Sequence, residues 1–259
     1  MDAPGKIIYS LNRKPILTAN FLLAVWLFFS VFYAKADWHQ YETARLRLHQ
    51  ARLSLIQQYE NTFYTNSIPL LIALEKRIID RTSAALSSNA QPPVRTGLGL
   101  EAYVSMIDDS PQPFWRYLPN QWKSDGQPAP LLVFLHGYDP SCSIINMQGI
   151  QLGLTNLANR VNACIVTPFA RGNTDFQGIG EQDVVIVIDE MVRRFNCDPE
   201  RVVLIGYSMG GMGAWCMGSR LPHLFNAIMI LCGRGDYYVW KQMEAADFPL
   251  WQQDRKSVV

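Results

Sequence analysis

The 259-residue chain is 49% hydrophobic and 17% charged, with a formal net charge of +1. This balance is ordinary for a globular protein and leaves enough apolar residues for a sizeable core. A near-neutral charge gives no electrostatic reason to expect nucleic acid or an anionic surface as a partner. The sequence contains no metal-binding motif and no dinucleotide fingerprint, so we expect neither a metal nor another cofactor.

The first 36 residues have the pattern of a secretory signal peptide. Three basic residues precede an uncharged apolar run over residues 21–33, and the small-x-small site AKA ends at Ala36. This order predicts export to the periplasm or the extracellular space, with cleavage near Ala36. The alternative is an uncleaved membrane anchor over residues 16–33, a stretch at the short end of the roughly 17–25 residues that a spanning helix needs.

Residues 37–92 are predicted to form a helical spacer. Apolar side chains recur there at spacings of three and four with arginines between them, which indicates an amphipathic helix. The members of this stripe are Tyr41, Ala44, Leu48, Ala51, Leu55 and Tyr59. A second stripe of Leu71, Leu74 and Ile78 follows a proline near a second helix start. We expect a helical hairpin that packs on the main domain or on a partner, and we assign no chemistry to it.

The segment from residue 95 to residue 253 alternates short apolar strands with helices. Strands are expected at residues 101–108, 114–120, 131–135, 163–169, 201–208 and 226–233, and helices at 148–160, 181–196 and from 209 to about 220. Such alternation predicts a mainly parallel sheet that is covered by helices on both faces. Ligand sites in these sheets lie at the C-terminal ends of the strands, which is where His136-Gly137 and Ser208 fall.

A G-x-S-x-G pattern from Gly206 to Gly210 follows a buried strand and opens a helix. A lone match is weak, but this setting is the one that a nucleophile elbow requires. The serine of an elbow lies on a turn so sharp that its backbone is strained. Side chains at Gly206 and Gly210 would then collide with the neighbouring helix and strand. The alternative for Ser208 is a helix N-cap without chemistry.

Two backbone N–H groups are predicted to form an oxyanion hole beside Ser208. The elbow aims a helix N-terminus at the reacting carbonyl, so the N–H of Met209 can stabilise a developing negative charge. We expect the second donor in the loop HGYDPSC after the third strand. Gly137 would let this loop approach closely, and the N–H of Tyr138 is the predicted donor.

Three blocks of the sequence resemble the α/β hydrolases: FLHGYDPS, the stretch from TPFARGN to GYSMGGMGAW, and LPHLFNAIMILCGRGD. The branch that they resemble most comprises the exported esterases related to polyhydroxyalkanoate depolymerases and prolyl-oligopeptidase-like enzymes. The resemblance implies a serine hydrolase that cleaves carboxylic esters through an acyl-enzyme on Ser208. It also implies that Met209 and Tyr138 are the oxyanion donors. Gly172 and Asn173 match a loop that we expect to shape the rim of the site rather than to react.

The resemblance further implies that an acid and a histidine follow the nucleophile in chain order. The only histidine after Ser208 is His223, which we expect on the opposite side of the sheet. His136 belongs to the loop of the predicted oxyanion hole. Asp236 is a weak candidate for the acid, and Asp198 with Arg201 is expected to hold the turn before the elbow strand.

We therefore expect the Asp and His of the triad beyond residue 259. On this interpretation residues 95–253 are an incomplete hydrolase domain without its last strands. The last six residues, 254–259, match a translated sequencing-library adapter and are expected to be a non-native tail. The chain as written would then be inactive.

The sequence is compatible with two functions besides ester hydrolysis. A peptidase of the same fold uses the same parts, and a non-catalytic exported binding protein on a hydrolase fold is a possibility from a different class. The expected partner is a small-molecule or polymeric ester, whose identity the sequence does not reveal.

The cysteine pattern gives no sign of a metal site. The five cysteines form no C-x-x-C pair, so a zinc site is not expected. Cys164 and Cys232 are predicted to be buried. If the protein is exported, one disulfide among the five cysteines is an alternative.

Overall fold

The computed structural model describes residues 38–59, 68–233 and 235. Two helices come first, α1 (Trp38–Tyr59) and α2 (Ile68–Ser87). They are followed by β1 (Gly97–Val104), β2 (Pro111–Leu118), β3 (Ala129–Leu135), α3 (Leu152–Val161), β4 (Cys164–Pro168), α4 (Ile179–Phe195), β5 (Cys197–Tyr207), α5 (Met209–Arg220), a 3-10 turn (Pro222–Leu224) and β6 (Ala227–Leu231). In these ranges we find no helix with both the length and the apolar character that crossing a membrane requires.

Several predictions made from the sequence fall on residues outside this description. They are the signal peptide or anchor within residues 1–36, the candidate acid Asp236 and the tail at 254–259. The domain boundaries drawn from the sequence likewise stay predictions. The two helices α1 and α2 lie in the segment for which a helical spacer is predicted.

The six strands form one mixed sheet in the order β1-β2-β4-β3-β5-β6. The strand β2 is antiparallel to β1 and to β4, whereas β3, β4, β5 and β6 are parallel to one another. Parallel neighbours need crossover connections, which α3, α4 and α5 provide. The carboxyl ends of the four parallel strands therefore meet at one edge of the sheet.

The apolar residues of β3 alternate between two cores, one on each face of the sheet. Leu131, Val133 and Leu135 belong to the larger core, with side chains from α4 and α5. Leu132 and Phe134 belong to a smaller core that includes Ala158 of α3. A central parallel strand that is covered on both faces is typically apolar along its whole length, as β3 is. The predicted mainly parallel sheet with helices on both faces is thus confirmed.

The predicted apolar stripe of α2 is partly wrong. Leu74 is exposed, and the buried residues of this helix include Glu75. Glu75 is buried because His49 and Arg52 of α1 both bond its carboxylate. Burial raises the pKa of Glu75, but the hydrogen bond from His49 and the charge of Arg52 outweigh burial and hold this pKa below its ordinary value. Apolar periodicity cannot register a buried side chain that is charged and paired.

Two further predictions need correction. The first strand is expected to run to residue 108 but ends at Val104, and the apolar Met106 and Ile107 lie exposed in the turn that follows. Cys232 is expected to be buried in the last strand but is exposed just after β6 ends at Leu231. Cys164 is buried as predicted, and the five cysteines are all free thiols in the structure.

Candidate functional site

Ser208 makes the turn between β5 and α5 by itself. Its backbone has φ 53° and ψ −113°, a combination that is rare and strained for any residue other than glycine. The turn is fixed on both sides, because the N–H of Ser208 donates to the carbonyl of Leu231 at 2.8 Å and the N–H of Met212 donates to the carbonyl of Ser208 at 3.2 Å. The side chain is partly exposed and makes no capping hydrogen bond to α5. An N-cap serine would use its hydroxyl for that bond.

The glycines on either side of Ser208 allow the close approach of strand and helix. A Cβ on Gly206 would overlap the carbonyl of Gly210, in the first turn of α5. A Cβ on Gly210 would overlap the carbonyl of Leu135, at the end of β3. Both obstacles are backbone atoms, so no rotation of a side chain could relieve them. A side chain at either position would therefore collide with its neighbours, as the sequence predicts.

The β3–α3 loop, residues 136–151, passes beside Ser208. A Cβ on Gly137 would lie 3.7 Å from the Cβ of Ser208 and 3.1 Å from the Tyr207 ring. The next residue is Tyr138, whose N–H has no hydrogen-bond acceptor among the described residues. The N–H of Met209 likewise has none there, as expected for the first turn of a helix. The two N–H groups predicted as oxyanion donors are thus both unpaired among the described residues.

Asn173 holds the start of this loop in place. Its side-chain amide donates to the carbonyl of Asp139 at 2.7 Å, and its side-chain oxygen accepts from the N–H of Asp139 at 3.2 Å. Asp139 directly follows Tyr138, so this pair of bonds fixes the orientation of the peptide next to the unpaired donor. Gly172 lies close to the Sγ of Cys142, in the same loop. The structure therefore places Gly172 and Asn173 against the β3–α3 loop, beside the predicted site.

Arg171 anchors the segment that carries Asn173. Its guanidinium donates to Asp183 at 2.7 Å, to Ser105 at 2.8 Å and to Asp108 in the β1–β2 turn. The bond from Arg171 holds the pKa of the exposed Asp108 carboxyl well below its usual range. Asp183 is almost fully buried and also accepts a hydrogen bond from Tyr103 of β1. Burial raises the pKa of Tyr103, and the bond to Asp183 raises it further.

This anchor cannot be predicted from the sequence pattern. Its one local signal was a carboxylate, Asp183, next to Val184 on the apolar face of α4. A buried acid on an apolar face implies a partner, but the partner lies on a different element and cannot be identified from spacing.

None of the described histidines reaches the hydroxyl of Ser208. The ring nitrogens of the buried His136 face the carbonyls of Gly137 and Phe169, at 2.9 and 3.3 Å. His223 lies in the 3-10 turn that precedes β6, at the opposite end of this strand from the elbow, as predicted. His49 is paired with a buried glutamate, and His39 contacts Asn89, which follows the end of α2. The general base of an acyl transfer is therefore not among these side chains.

The remaining residues singled out from the sequence have structural contacts. Arg201 donates to Asp198 at 2.7 Å and also to the carbonyl of Pro128. These bonds tie the first half of β5 to the start of β3. Within the described ranges, no group of three His, Cys, Asp or Glu side chains is arranged to hold a metal ion.

Parts of the chain are similar to known hydrolases. Residues 170–257 match the model of the prolyl oligopeptidase family. A bifunctional acetylxylan esterase/xylanase of Neocallimastix patriciarum is 39% identical over 105 residues, which are 38% of this chain and 15% of that protein. The chain thus spans only a small part of the length of this relative.

Solved structures with a similar fold include a thermostable esterase and the fluorophosphonate-binding serine hydrolase F of Staphylococcus aureus. The first is 22% identical with a TM-score of 0.43, covering 54% of this chain and 42% of the other. The second is 19% identical with a TM-score of 0.47, covering 62% and 65%. The strand order, the elbow and the family match confirm that the chain has the α/β-hydrolase fold. The polyhydroxyalkanoate depolymerase branch remains a resemblance only.

Proposed function

We propose that this α/β hydrolase is a serine hydrolase that cleaves carboxylic esters through an acyl-enzyme on Ser208. The observation that carries the proposal is a serine held in a strained turn and approached by Gly137, with unpaired N–H groups on Met209 and Tyr138, the residues that follow each of them. Strain at a residue other than glycine costs on the order of 1–3 kcal/mol and persists only where the surroundings enforce it. Here the packing of the flanking glycines enforces it.

The proposed chemistry follows from this geometry. The hydroxyl oxygen of Ser208 attacks the ester carbonyl, and the carbonyl oxygen takes up negative charge as the carbon becomes tetrahedral. The N–H groups of Tyr138 and Met209 donate to this oxygen, and the N-terminus of α5 favours its charge. When the alcohol leaves, the acyl group remains on Ser208 until water hydrolyses it.

A serine hydroxyl attacks efficiently only when a base accepts its proton. No described side chain is hydrogen-bonded to the hydroxyl of Ser208, so the proposal requires a base that these residues do not supply. The test therefore uses protein expressed from the complete natural reading frame.

The direct test is covalent labelling with a fluorophosphonate probe. In this reaction the Ser208 oxygen bonds to phosphorus, fluoride leaves and the proton passes to the base. The wild-type protein should be labelled, and Ser208→Ala should lose labelling and about 10³-fold or more of its esterase rate. Ser219→Ala is the matched control, because Ser219 is exposed on α5 and its hydroxyl bonds the Cys216 carbonyl of the same helix. Equal labelling of the wild type and Ser208→Ala would exclude the serine as nucleophile.

A peptidase is the second candidate, because the matched family model is that of prolyl oligopeptidases. Ester and amide cleavage use the same nucleophile and oxyanion hole, so the leaving group decides between them. We favour esters, since the curated relative is named as an acetylxylan esterase. The kcat/KM of p-nitrophenyl acetate should exceed that of a proline-containing dipeptide p-nitroanilide. The reverse order would support the peptidase, and no turnover of either substrate with an unlabelled wild type would support a binding protein.

We further propose that the protein is exported, on the strength of the basic start, the apolar run and the small-x-small site before residue 37. N-terminal sequencing of the protein from its natural host should give a start at Asp37. A start at the initiating methionine would support the membrane anchor instead.

A further inference from the structure

The α1–α2 hairpin contacts the loop that carries Tyr138. The β3–α3 loop is 16 residues long, from His136 to Gln151, and contains no helix or strand. Ordering each residue of such a segment costs backbone conformational entropy. Asn173 fixes one end of it, at Asp139, so the middle of the loop needs a separate anchor.

Arg52 of α1 supplies hydrogen bonds to the middle of this loop. One terminal nitrogen of its guanidinium donates to the carbonyl of Ile144 and lies 3.5 Å from the carbonyl of Ile145. The Nε of the same guanidinium donates to the Oε1 of Glu75 at 2.8 Å. The fixed fork of the guanidinium therefore joins the second helix of the hairpin to the backbone of the loop.

Glu75, which lies on α2, is also held by a second side chain of α1. Its other carboxylate oxygen lies 2.6 Å from the Nδ1 of His49, and both of these side chains are nearly inaccessible to solvent. A buried ion pair is costly unless its remaining polar atoms are satisfied. The carbonyl of Ile144 satisfies one of these atoms, a terminal nitrogen of Arg52, so the position of the loop and the packing of the hairpin depend on each other.

The side chain of Ile144 is a second, apolar anchor. It packs against a small core cluster made of Ala44 and Leu48 of α1 and Ala102 of β1. The loop is thus attached to the hairpin through its backbone and through one of its side chains. Both contacts lie six residues beyond Tyr138 along the loop.

We propose that Arg52, held by Glu75, is a positioning residue for the oxyanion donor on Tyr138. The inference rests on the proposed function, and it makes the hairpin a part of the active-site architecture rather than a spacer. The hydrogen bond to the oxyanion forms in the transition state and not in the ground state. Loosening the loop should therefore lower kcat and leave KM nearly unchanged.

The test compares Arg52→Lys with Arg81→Lys, a matched change at an exposed arginine of α2. A lysine at position 52 keeps a charge for Glu75, but its single ammonium group lacks the fork that reaches both partners. Arg52→Lys should lower kcat about tenfold, since a displacement of about 1 Å at a catalytic donor can cost up to about 10²-fold. The control should match the wild type. In Arg52→Ala, added guanidinium chloride at low millimolar concentration should restore part of kcat.

Hydrogen–deuterium exchange measures how often the amides of the loop open, and it does not require the protein to turn over a substrate. Amides of residues 138–148 should exchange at least about tenfold faster in Arg52→Lys than in the control, because the loop opens more often. Unchanged exchange would overturn the proposal whether or not the protein is active. Faster exchange with unchanged kcat would also overturn it. An unlabelled and inactive wild type would instead contradict the proposed function, and exchange would still decide whether Arg52 orders the loop.

Discussion

Replacing Gly206 by alanine tests the physical basis of the elbow most directly. The added Cβ would overlap the carbonyl of Gly210 and lie 2.8 Å from the backbone nitrogen of Gly211. Because these atoms belong to the first turn of α5, only a shift of the helix can make room. Forced overpacking of this kind costs about 1–3 kcal/mol and sometimes more. The smaller conformational entropy of alanine in the unfolded chain returns about 0.4–1 kcal/mol at most.

The control is the same substitution at Gly153. This glycine lies exposed in the first turn of α3, and a Cβ there would have no atom within 4 Å. Alanine is favoured over glycine in a helix by about 0.5–1 kcal/mol. The two variants should therefore move the free energy of unfolding in opposite directions, with a difference of roughly 1–3 kcal/mol between them.

Urea denaturation followed by tryptophan fluorescence measures both values. Gly206→Ala should unfold at a lower urea concentration than the wild type, and Gly153→Ala at the same or a higher one. In protein that remains folded, Gly206→Ala should also react more slowly with the fluorophosphonate probe, because the shifted helix moves Ser208. If Gly206→Ala were as stable as the wild type, the close packing of strand and helix could not be what holds the turn.

Three further predictions concern side chains around the site. Asn173→Ala should lower kcat about tenfold in an ester assay, because Asp139 loses two backbone contacts; an unchanged kcat would contradict this. Tyr103→Phe should lower the unfolding free energy by about 1–3 kcal/mol in urea, since it removes a hydrogen bond to a buried carboxylate; no change would count against that bond. The pKa of Glu75 lies below its ordinary value of 4.5, so this group contributes stability above that pH and loses it on acidification. The cost of Glu75→Gln in urea unfolding should therefore be larger at pH 7 than at pH 3, and equal costs would refute the shift.

The parts of the fold that the sequence predicts are those with a local physical cause. Leu131 to Leu135 form an unbroken apolar run because β3 is covered on both faces, so the run itself identifies a central strand. The elbow is readable because Gly206 and Gly210 are required by backbone atoms close to them in the chain or on the adjacent strand. In both cases a short stretch of sequence contains the whole constraint.

The contacts that the sequence does not reveal join polar groups far apart in the chain. Arg52 and Ile144 are 92 positions apart, and Tyr103 and Asp183 are 80 positions apart. A buried glutamate or arginine has no period of its own, because its burial depends on a partner and not on an apolar face. The same reason explains why the apolar pattern of α2 does not predict the burial of Glu75.

The two predicted oxyanion donors therefore differ in what fixes them. The N–H of Met209 is positioned by the start of α5, so any change that displaces it also disturbs the packing of Gly206 and Gly210 and lowers stability. The N–H of Tyr138 lies on a loop without regular structure, which Asn173 fixes at Asp139 and Arg52 fixes at Ile144. Substitutions in those two clamps can move this donor while the sheet stays intact. Elbow variants should therefore lower both the rate and the stability. Variants of Asn173 or Arg52 should lower the rate of acyl transfer and leave the stability of the sheet nearly unchanged, which would link the N-terminal hairpin to catalysis.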